Sequence, residues 1–459
     1  MPSPASVLRL AVVALVACVS LSPGVDSFAV ATVDPGPHEL FRSDRVANVR
    51  LRFAGSDWDT IMPVRQRSTG HRTHFVAAER QRNGLAAQSG YNFDFVHAAL
   101  SIDGDHFDDI AVRYKGNGTF IDARASGKFS FKLDLNKFVK GQRLAGVKTI
   151  NLHNAINDPG WMNEPIAYRL YREAQVPASR TSYARVFIDV PERGIRRYAG
   201  LYVLVENVDE EFIADRFEED AGALLKPVPP ELFDDLGDDW SAYQQAYDPK
   251  TDLTHEQQQR VIQFSRLVTH AGDAEFATRL GEFLDIESFA RYMAVLVWLG
   301  NTDSLLSTGQ NYYLYLDPHT QRFVFIPWDQ DASFGQFAPV GQRSLIGLRI
   351  LHPWQGPNRF LERVFDVSGF RSRYLATLEH LADSVLRPER IVADVEARAV
   401  VLRPLVREEP RDGAIAAFEQ VVAGNAFRHP TLGTSMLPIR TFVQARARSV
   451  TAQLEQVHY

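Results

Sequence analysis

Alternation of apolar and polar residues dominates the first half of the chain. The stretch VANVRLRF at 46–53 alternates from its second residue onward, which is typical of a strand with one buried face. The runs SYARVFIDV and YAGLYVLVENV predict two neighbouring strands of a meander, joined by the polar PERGIRR. A polar, Gln- and Arg-rich segment at 79–90 predicts a loop. Further strand-like runs lie at 93–102, 109–114, 128–135 and 147–152.

Helical spacing appears once among these strands. WMNEPIAYRLYREA at 161–174 repeats apolar residues every three to four positions, with Pro165 in the first turn, where its missing N–H is harmless. The segment 208–217 predicts another helix after the meander. The Pro-, Asp- and Tyr-rich segment 221–252 predicts a long functional loop or a connection between lobes.

The second half changes to helical patterning around a single hairpin. The runs at 311–316 and 322–326 predict two strands joined around Asp317 and Pro318. This order predicts an α+β fold with a strand-rich first half, one key helix, and a mostly helical second half that holds an embedded β-hairpin. Helices are predicted at 254–270, 276–284, 286–299 and throughout the chain after 351.

The composition is that of an ordinary globular protein and does not by itself indicate a function. The 459 residues are 45% hydrophobic and carry a formal net charge of −6, so bulk electrostatics give no reason to expect a nucleic-acid partner. The first 29 residues predict an export signal, because one arginine precedes the short apolar run AVVALVACVSL. Small residues at 27–29 fit cleavage of a secreted protein, whereas LVAC, ending at Cys18, resembles a lipobox and would give a lipid anchor.

Two carboxylates stand at the ends of the predicted helix–hairpin unit. Asp303 follows the apolar helix in the sequence Asn-Thr-Asp, and Asp329 follows the strand FVFIP. A hairpin returns the chain to its starting point, so these carboxylates can converge with Asn311. In a phosphoryl-transfer site, one aspartate positions the acceptor hydroxyl, and a second aspartate and an asparagine hold a divalent ion on the phosphates. Asp303, Asp329 and Asn311 have the residue types for these roles. The alternative is that both aspartates only cap turns, a common use of that residue type.

The first half supplies candidate residues for a nucleotide clamp. Gly116 and Gly118 lie in a predicted turn between strands, and Lys132 lies within the next strand, KFSFKLDL. Glu164 begins the following amphipathic helix and is a candidate ion-pair partner for that lysine. The order of glycine turn, strand lysine, helix glutamate and later metal-binding carboxylates is that of protein kinases. An exposed strand lysine beside an ordinary turn is the alternative interpretation.

The chain resembles the CotH kinases, a family of atypical protein kinases, over most of its length. The resemblance rests on VRYKGNGTF, KFSFKLDLNKF, GVKTINLHNAINDPGWMNEPIAYRLYREA, YAGLYVLVENVDEEFIADRF, ALLKP, NTDSLLSTGQNYYLYLD and FVFIPWDQDASFG. The turn GNGTF and the presence of Asp331 depart from many members, although neither changes the aspartates that the resemblance treats as essential. It implies a two-lobed atypical kinase fold, with an N-lobe at 38–217 and a C-lobe at 218–459.

The resemblance also implies roles for individual residues. Lys132 would contact the phosphates of ATP, with Glu164 as its ion-pair partner. Asp303 would be the catalytic aspartate, while Asp329 and Asn311 would hold Mg²⁺ or Mn²⁺. Gly116 and Gly118 would lie beside the bound nucleotide. Arg113 and Lys115 would contact phosphates or would serve only as surface residues. Glu206, at the end of the meander, would be a hinge residue or would contact the adenine.

The sequence therefore predicts an exported CotH-type kinase that transfers the γ-phosphoryl group of ATP to Ser or Thr of a surface or envelope protein. Its expected location is the periplasm, the outer membrane as a lipoprotein, or the extracellular space. The expected membrane contact is limited to a lipid anchor at Cys18. The rival hypothesis is a surface, coat-assembly or adhesion protein that keeps the fold without catalysis, because function depends on the site and not on the fold.

Overall fold

Strands from the first half of the chain close into a barrel in the order β1-β2-β3-β4-β5-β7-β6. The computed structural model describes residues 37–63, 91–217, 222–229, 231–337 and 341–458. The strands β1 and β6 are parallel, whereas the other neighbouring pairs of the barrel are antiparallel. The seven barrel strands are β1 (Val46–Arg52), β2 (Val96–Ile102), β3 (Asp105–Lys115), β4 (Ser130–Asp134), β5 (Thr149–His153), β6 (Thr181–Val190) and β7 (Ile195–Glu206).

The barrel forms because each strand presents an apolar face to a common interior. In β1, Ala47, Val49 and Leu51 are buried and alternate with the exposed Arg50, as the sequence pattern predicts. The strands predicted in the first half are all present, with shifts of a few residues at their ends. Buried residues of this interior come from six further strands and include Leu100, Val112, Phe131, Leu133, Ile150, Leu152, Val186 and Leu204.

Most of the helices contribute to a second apolar core, separate from the interior of the barrel. The predicted helix of the first half is α4 (Asn163–Glu173), and its Ile166, Tyr168 and Leu170 belong to this second core, so α4 joins the barrel to the helical part. The described helices of four or more residues are α1 (Pro37–Leu40), α2 (Gly55–Thr60), α3 (Gly118–Asp122), α4, α5 (Glu210–Phe217), α6 (Trp240–Tyr247), α7 (His255–His270), α8 (Asp273–Phe283), α9 (Ile286–Leu299), α10 (Gln342–Ile346), α11 (Arg359–Asp366), α12 (Ser368–Ala382), α13 (Pro388–Val406), α14 (Ala414–Val422) and α15 (Ile439–His458).

The apolar helix α9 runs through the middle of the second core. Its N-terminus is capped by Asp285, whose carboxylate accepts a hydrogen bond from the Ser288 backbone N–H at 2.9 Å. From Ser288 to Leu299 all its residues except Arg291 are buried. Gly300 ends the helix with a φ of +60°, a left-handed conformation that glycine adopts without steric cost. The chain then turns sharply into the segment that carries Asp303.

A three-stranded sheet with the order β10-β9-β8 follows the predicted hairpin. The hairpin strands are β9 (Tyr312–Leu316) and β10 (Phe323–Pro327), which confirms the prediction, and β8 (Ala223–Leu225) adds at the edge of β9. The prediction of a long loop at 221–252 is therefore wrong in part. Within this segment, Ala223–Leu225 forms β8 by pairing with the edge of β9. The segment also contains α6, whose N-terminus is capped by Asp239, which accepts a hydrogen bond from the Ser241 N–H at 2.9 Å.

The C-terminal part is mostly helical, as predicted, with one exception. The two-residue strands β11 (Phe427–Arg428) and β12 (Ser435–Met436) form a small antiparallel ladder between α14 and α15. The predicted loop at 79–90 and the predicted export signal with Cys18 lie outside the described residues. In the described ranges, every helix is too short or too polar to cross a membrane.

Candidate functional site

The hairpin brings Asp303 and Asp329 to one place. Tyr312 pairs with Pro327 in the last rung of the ladder, and beyond it the Trp328 N–H donates to the Asn311 carbonyl at 3.0 Å. The Asn311 side chain in turn donates from Nδ2 to the Asp303 carbonyl at 2.9 Å. The convergence expected from the sequence is therefore present, and it arises from the backbone geometry of the open end of the hairpin.

Two adjoining pockets meet at this point and share Thr119, Asp329 and Asp331. The smaller pocket has a volume of about 430 Å³ and lies against the barrel. The larger pocket has a volume of about 840 Å³ and lies against Asp303 and Asn311. The charged and polar residues that line the smaller pocket are Lys115, Thr119, Ser130, His153, Asn154, Asp158, Glu164, Asp329 and Asp331.

Carboxylates are crowded in these pockets. Burial, with the neighbouring Asp329 charge acting in the same direction, raises the pKa of Asp303 above its usual range. Burial followed by repulsion from Asp329 and Glu164 raises the pKa of Asp331 well above its usual range. The pKa of Asp158 is raised by burial as well. A group of acids that disfavour one another's charge is stabilised by a cation, so this arrangement suits a metal ion.

A second chain of contacts connects the barrel to α4 within the smaller pocket. Lys115, at the end of β3, hydrogen-bonds to Nε2 of His153 on β5. The other ring nitrogen of His153, Nδ1, lies 2.8 Å from Oε2 of Glu164 on α4. Burial lowers the pKa of Lys115 to about 8, although the charges of Asp329 and Glu164 oppose that shift. These contacts place an ammonium, an imidazole and a carboxylate in series beside Asp329.

The donor atoms in the smaller pocket fit a divalent cation. One ligand atom each from His153, Glu164 and Asp329 lies within 4.8 Å of the others. Oε1 of Glu164 is buried and has no hydrogen-bond partner, which is costly unless a cation or a donor is supplied. Carboxylate oxygens suit Mg²⁺ or Mn²⁺. Both ring nitrogens of His153 already contact Lys115 and Glu164, so the imidazole would orient the Glu164 carboxylate rather than bind the cation.

Lys132 does not form the ion pair that was predicted with Glu164. Its Nζ lies 3.4 Å from Oδ1 of Asn207, and the carboxylate among its nearest charges is Asp209. Burial, together with the nearby Arg113 and Lys115, lowers the pKa of Lys132 to about 8. The predicted pairing is wrong because of the position of Lys132 along β4. Lys115 pairs with Ser130 and reaches His153, whereas Lys132 lies two residues further along the strand, opposite Arg113 on β3 and Asn151 on β5.

The predicted glycine turn lies at the two pockets, but its second glycine begins a short helix. Gly116 lines the smaller pocket with a φ of +86°, and a Cβ there would lie 2.3 Å from Oγ1 of Thr119. Gly118 lines the larger pocket and begins the short helix α3. Arg113 lies on the same β3 face as Lys115, and its guanidinium donates to the Tyr114 carbonyl at 3.0 Å.

Glu206 is occupied by other contacts. Its carboxylate is buried and binds the Arg180 guanidinium through Nε at 3.1 Å and Arg216 through Nη2 at 2.7 Å. It also accepts from the Arg180 backbone N–H at 2.9 Å. The side chain is therefore part of a structural ion-pair network, and the predicted contact from this carboxylate to adenine is not supported by the structure.

Three residues of the site were not assigned by sequence reasoning. His153 ends the all-buried strand TINLH, Asp158 lies in the loop before α4, and Lys226 follows β8 in ALLKP. Asp158 accepts from the backbone N–H of Asn163 at 2.8 Å and so fixes the start of α4 beside Glu164. A titratable residue at the end of a strand-like run was the available signal for His153 and Lys226.

Comparisons with known proteins found a family model, a curated relative and a solved structure that match this chain. A family model described as CotH kinase protein matches residues 112–450. The inner spore coat protein H of Bacillus subtilis (strain 168) is 25% identical over 307 residues, which cover 66% of this chain and 79% of that protein. A chain of the Shewanella oneidensis MR-1 toxin–antitoxin complex of HipA, HipB and operator DNA gives a TM-score of 0.30 at 12% identity, covering 72% of this chain and 60% of that chain.

Proposed function

This chain belongs to the CotH kinase protein family, and on that premise we propose that it is a protein kinase that transfers the γ-phosphoryl group of ATP to Ser or Thr of an exported or surface protein. The observation that carries the proposal is the convergence of Asp303, Asn311 and Asp329 beside the Lys115–His153–Glu164 series. A structural relative that had lost catalysis would have no need of several buried titratable groups with shifted pKa values at one cleft.

The kinase would have its lobes at 38–217 and 218–459, with the site between the barrel and the helical part. In support, the barrel strands all lie in the first range, and α7 to α15 with the hairpin all lie in the second. Pocket residues come from both ranges, so ATP bound there would contact both.

The metal ligands in this proposal are Asp329 and Asn311, with Glu164 as a further carboxylate. The bound Mg²⁺ or Mn²⁺ would neutralise phosphate charge that develops during transfer. The raised pKa of the neighbouring Asp331 is consistent with a site that is completed by a cation. Asp329 is held in place by its own backbone, since its N–H donates to the Tyr168 hydroxyl at 3.0 Å.

Asp303 is the proposed proton acceptor. The bond between the acceptor hydroxyl oxygen and the γ-phosphorus forms as the bond from that phosphorus to the β-phosphate bridging oxygen breaks. The hydroxyl proton goes to the Asp303 carboxylate, and ADP leaves. The raised pKa of Asp303 suits this role, because a base works best when its pKa is close to the working pH. Gln310 Nε2, 3.3 Å from Asp303 Oδ1, would orient the carboxylate.

The phosphates would be held by the lysines of the barrel. Lys115 lies nearest to Asp329 and Glu164, so we assign it the phosphates next to the metal. Lys132, with Arg113 beside it on β3, would add positive charge on the side of Asn207. The Gly116–Gly118 turn would allow backbone to approach the phosphate chain closely, since neither residue carries a Cβ.

Export is also part of the proposal, because residues 1–29 have the pattern of a signal segment. The name of the matched Bacillus subtilis relative places that protein in the spore coat. The acceptor would accordingly be a protein of an envelope or coat layer. Cys18 would provide the lipid anchor if cleavage occurs directly before it.

The test is metal-dependent transfer of labelled phosphate from ATP to protein, in wild type, Asp329→Ala and the exposed-site control Asp412→Ala. Labelling by wild type and by the control should require Mg²⁺ or Mn²⁺ and should be lost in Asp329→Ala. Folded wild-type protein that transfers no phosphate to itself, to casein or to extracts of envelope proteins, with either metal, would favour the non-catalytic coat-assembly or adhesion protein instead.

A further inference from the structure

Lys226 occupies a defined position at the open end of the three-stranded sheet. Leu225, the last residue of β8, pairs with Leu314 of β9, so the next residue lies beside Tyr313. The Lys226 backbone N–H donates to the Tyr247 carbonyl at 2.8 Å, which fixes its main chain. Its position is thus determined by the fold and not by a mobile surface segment.

The Lys226 ammonium lies among aromatic rings. Its Nζ is 5.0 Å from the centre of the Tyr313 ring and 5.3 Å from the centre of the Trp328 ring. Lys115 Nζ is 5.0 Å from the centre of the same Trp328 ring. Trp328 therefore contacts two ammonium groups that come from distant parts of the chain, one from the barrel and one from the edge of the sheet. The next residue is Asp329.

Lys226 has no carboxylate or carbonyl partner for its ammonium among the residues that the structure describes. Burial lowers its pKa to about 7, and the positive charges of Lys250, Lys115 and Lys132 lower it further, although the charge of Asp329 opposes the shift. A half-buried ammonium that is surrounded by other cations is destabilised. A bound anion would relieve this repulsion and keep all of these lysines charged.

We propose that Lys226 is a nucleotide-binding residue, and that together with Lys115 it forms a two-lysine anion site around Trp328 that takes the terminal phosphates of a nucleoside triphosphate. This inference rests on the proposed kinase function and adds to it a further phosphate-binding cation, which directly follows β8 and does not come from the barrel. Lysine is a common point-charge ligand of phosphate, and two such charges beside the metal-binding aspartate match the β- and γ-phosphates.

The number of phosphates should then determine how much Lys226 matters. Replacing Lys226 by Met removes the charge but keeps an unbranched apolar stem that can pack against Tyr313 and Trp328. Loss of a charged hydrogen bond corresponds to roughly 10–100-fold in affinity. We expect a loss of that size for ATP, a smaller loss for ADP and no change for AMP.

The experiment is calorimetric titration of the purified chain with ATP, ADP, AMP and inorganic tripolyphosphate in the presence of Mg²⁺. The variants are Lys226→Met, the conservative Lys226→Arg, and Lys140→Met as a control at an exposed lysine. Lys226→Arg should retain ATP binding within a few-fold of wild type, because the charge is kept, and Lys140→Met should bind as wild type does. Thermal unfolding of each variant establishes that the comparison is made between folded proteins.

The outcomes separate this inference from the proposed function. Wild-type ATP affinity in Lys226→Met, or an equal loss for ATP and AMP, overturns the two-lysine site while leaving the kinase proposal standing. An ATP-selective loss in a protein that transfers no phosphate supports the anion site and overturns the kinase proposal. A wild-type protein that binds neither ATP nor tripolyphosphate overturns both.

Discussion

Nδ1 of His153 lies 2.8 Å from Oε2 of Glu164, and the other ring nitrogen contacts Lys115. A direct lysine–glutamate pair was expected at this place, and an imidazole stands between the two charges instead. The histidine thereby holds the barrel strand β5 against the first turn of α4. It also leaves the other oxygen of Glu164 facing the pocket without a protein partner.

The first prediction concerns that histidine. His153→Leu should lower phosphate transfer by about 10–100-fold, because Lys115 and Glu164 lose the group that positions them, and a buried carboxylate left without a donor should cost about 1–3 kcal/mol of stability. Transfer assays and urea unfolding measure the two effects. The control is His106→Leu, because His106 is exposed and its ring hydrogen-bonds to Ser101 across the turn between β2 and β3, away from the site. Unchanged activity in folded His153→Leu would contradict the positioning role.

The second prediction distinguishes the two barrel lysines. Lys115→Met should reduce ATP turnover more than Lys132→Met, because Lys115 is the lysine linked to Glu164 and close to Asp329. Lys132→Met should still weaken ATP binding through the loss of one positive charge. Steady-state kinetics with varied ATP would show the difference in kcat for Lys115→Met and mainly in KM for Lys132→Met. The reverse order would return the principal role to Lys132.

The alternation of apolar and polar residues along the strands could predict which basic side chains share a face of the sheet. It could not predict which of them contacts the His153–Glu164 pair. Arg113 and Lys115 on β3 alternate with the buried Val112 and Tyr114, and Lys132 lies opposite Arg113 in the ladder. All three therefore face away from the barrel interior, as strand alternation requires. The partner of each is determined by where α4 packs, and that depends on closure of the barrel by strands far apart in sequence.

The convergence of Asp303 and Asp329 was predictable for the opposite reason. Their meeting depends on one local hairpin, whose register follows from two short apolar strands and a turn. The partners of Glu206, in contrast, could not be predicted from local sequence. Arg180 and Arg216 lie 26 and 10 residues away, and the meander and α5 bring them to the carboxylate. An apolar strand ending in Glu gives no sign that the carboxylate is already paired.

The third prediction tests that structural assignment of Glu206. Arg180→Met should destabilise the protein by about 3–5 kcal/mol, since it leaves a buried carboxylate with one of its two guanidinium partners. Arg193→Met, at an exposed pair with Asp59, should change stability far less, because water screens that pair. Urea unfolding of both variants gives the comparison. ATP affinity of the folded Arg180→Met protein should equal that of wild type, and a selective loss of ATP binding would place this network at the nucleotide.

The last prediction is a pH dependence of ATP binding. Burial and mutual repulsion lower the pKa of Lys226 to about 7 and those of Lys115 and Lys132 to about 8 in the free protein, far below the ordinary lysine value. Each lysine binds phosphate as the ammonium, which is the form present below its pKa. The affinity for ATP should therefore be greatest below about pH 7 and should fall as the pH rises from 7 to 9. If the lysines had the ordinary pKa, they would stay charged over this range and the affinity would not change.

Calorimetric titration with ATP and Mg²⁺ at pH 6.5, 7.5, 8.5 and 9.5 measures this fall. Because binding keeps the lysines charged, proton uptake should accompany it between about pH 7 and 9, and the observed heat should then depend on the ionisation enthalpy of the buffer. Lys226→Arg should shift the onset of the fall to higher pH, since a guanidinium stays charged throughout this range. A flat affinity profile with no proton uptake would mean that these lysines are already fully charged in the free protein, and the repulsion among them would then be too weak to favour a bound anion.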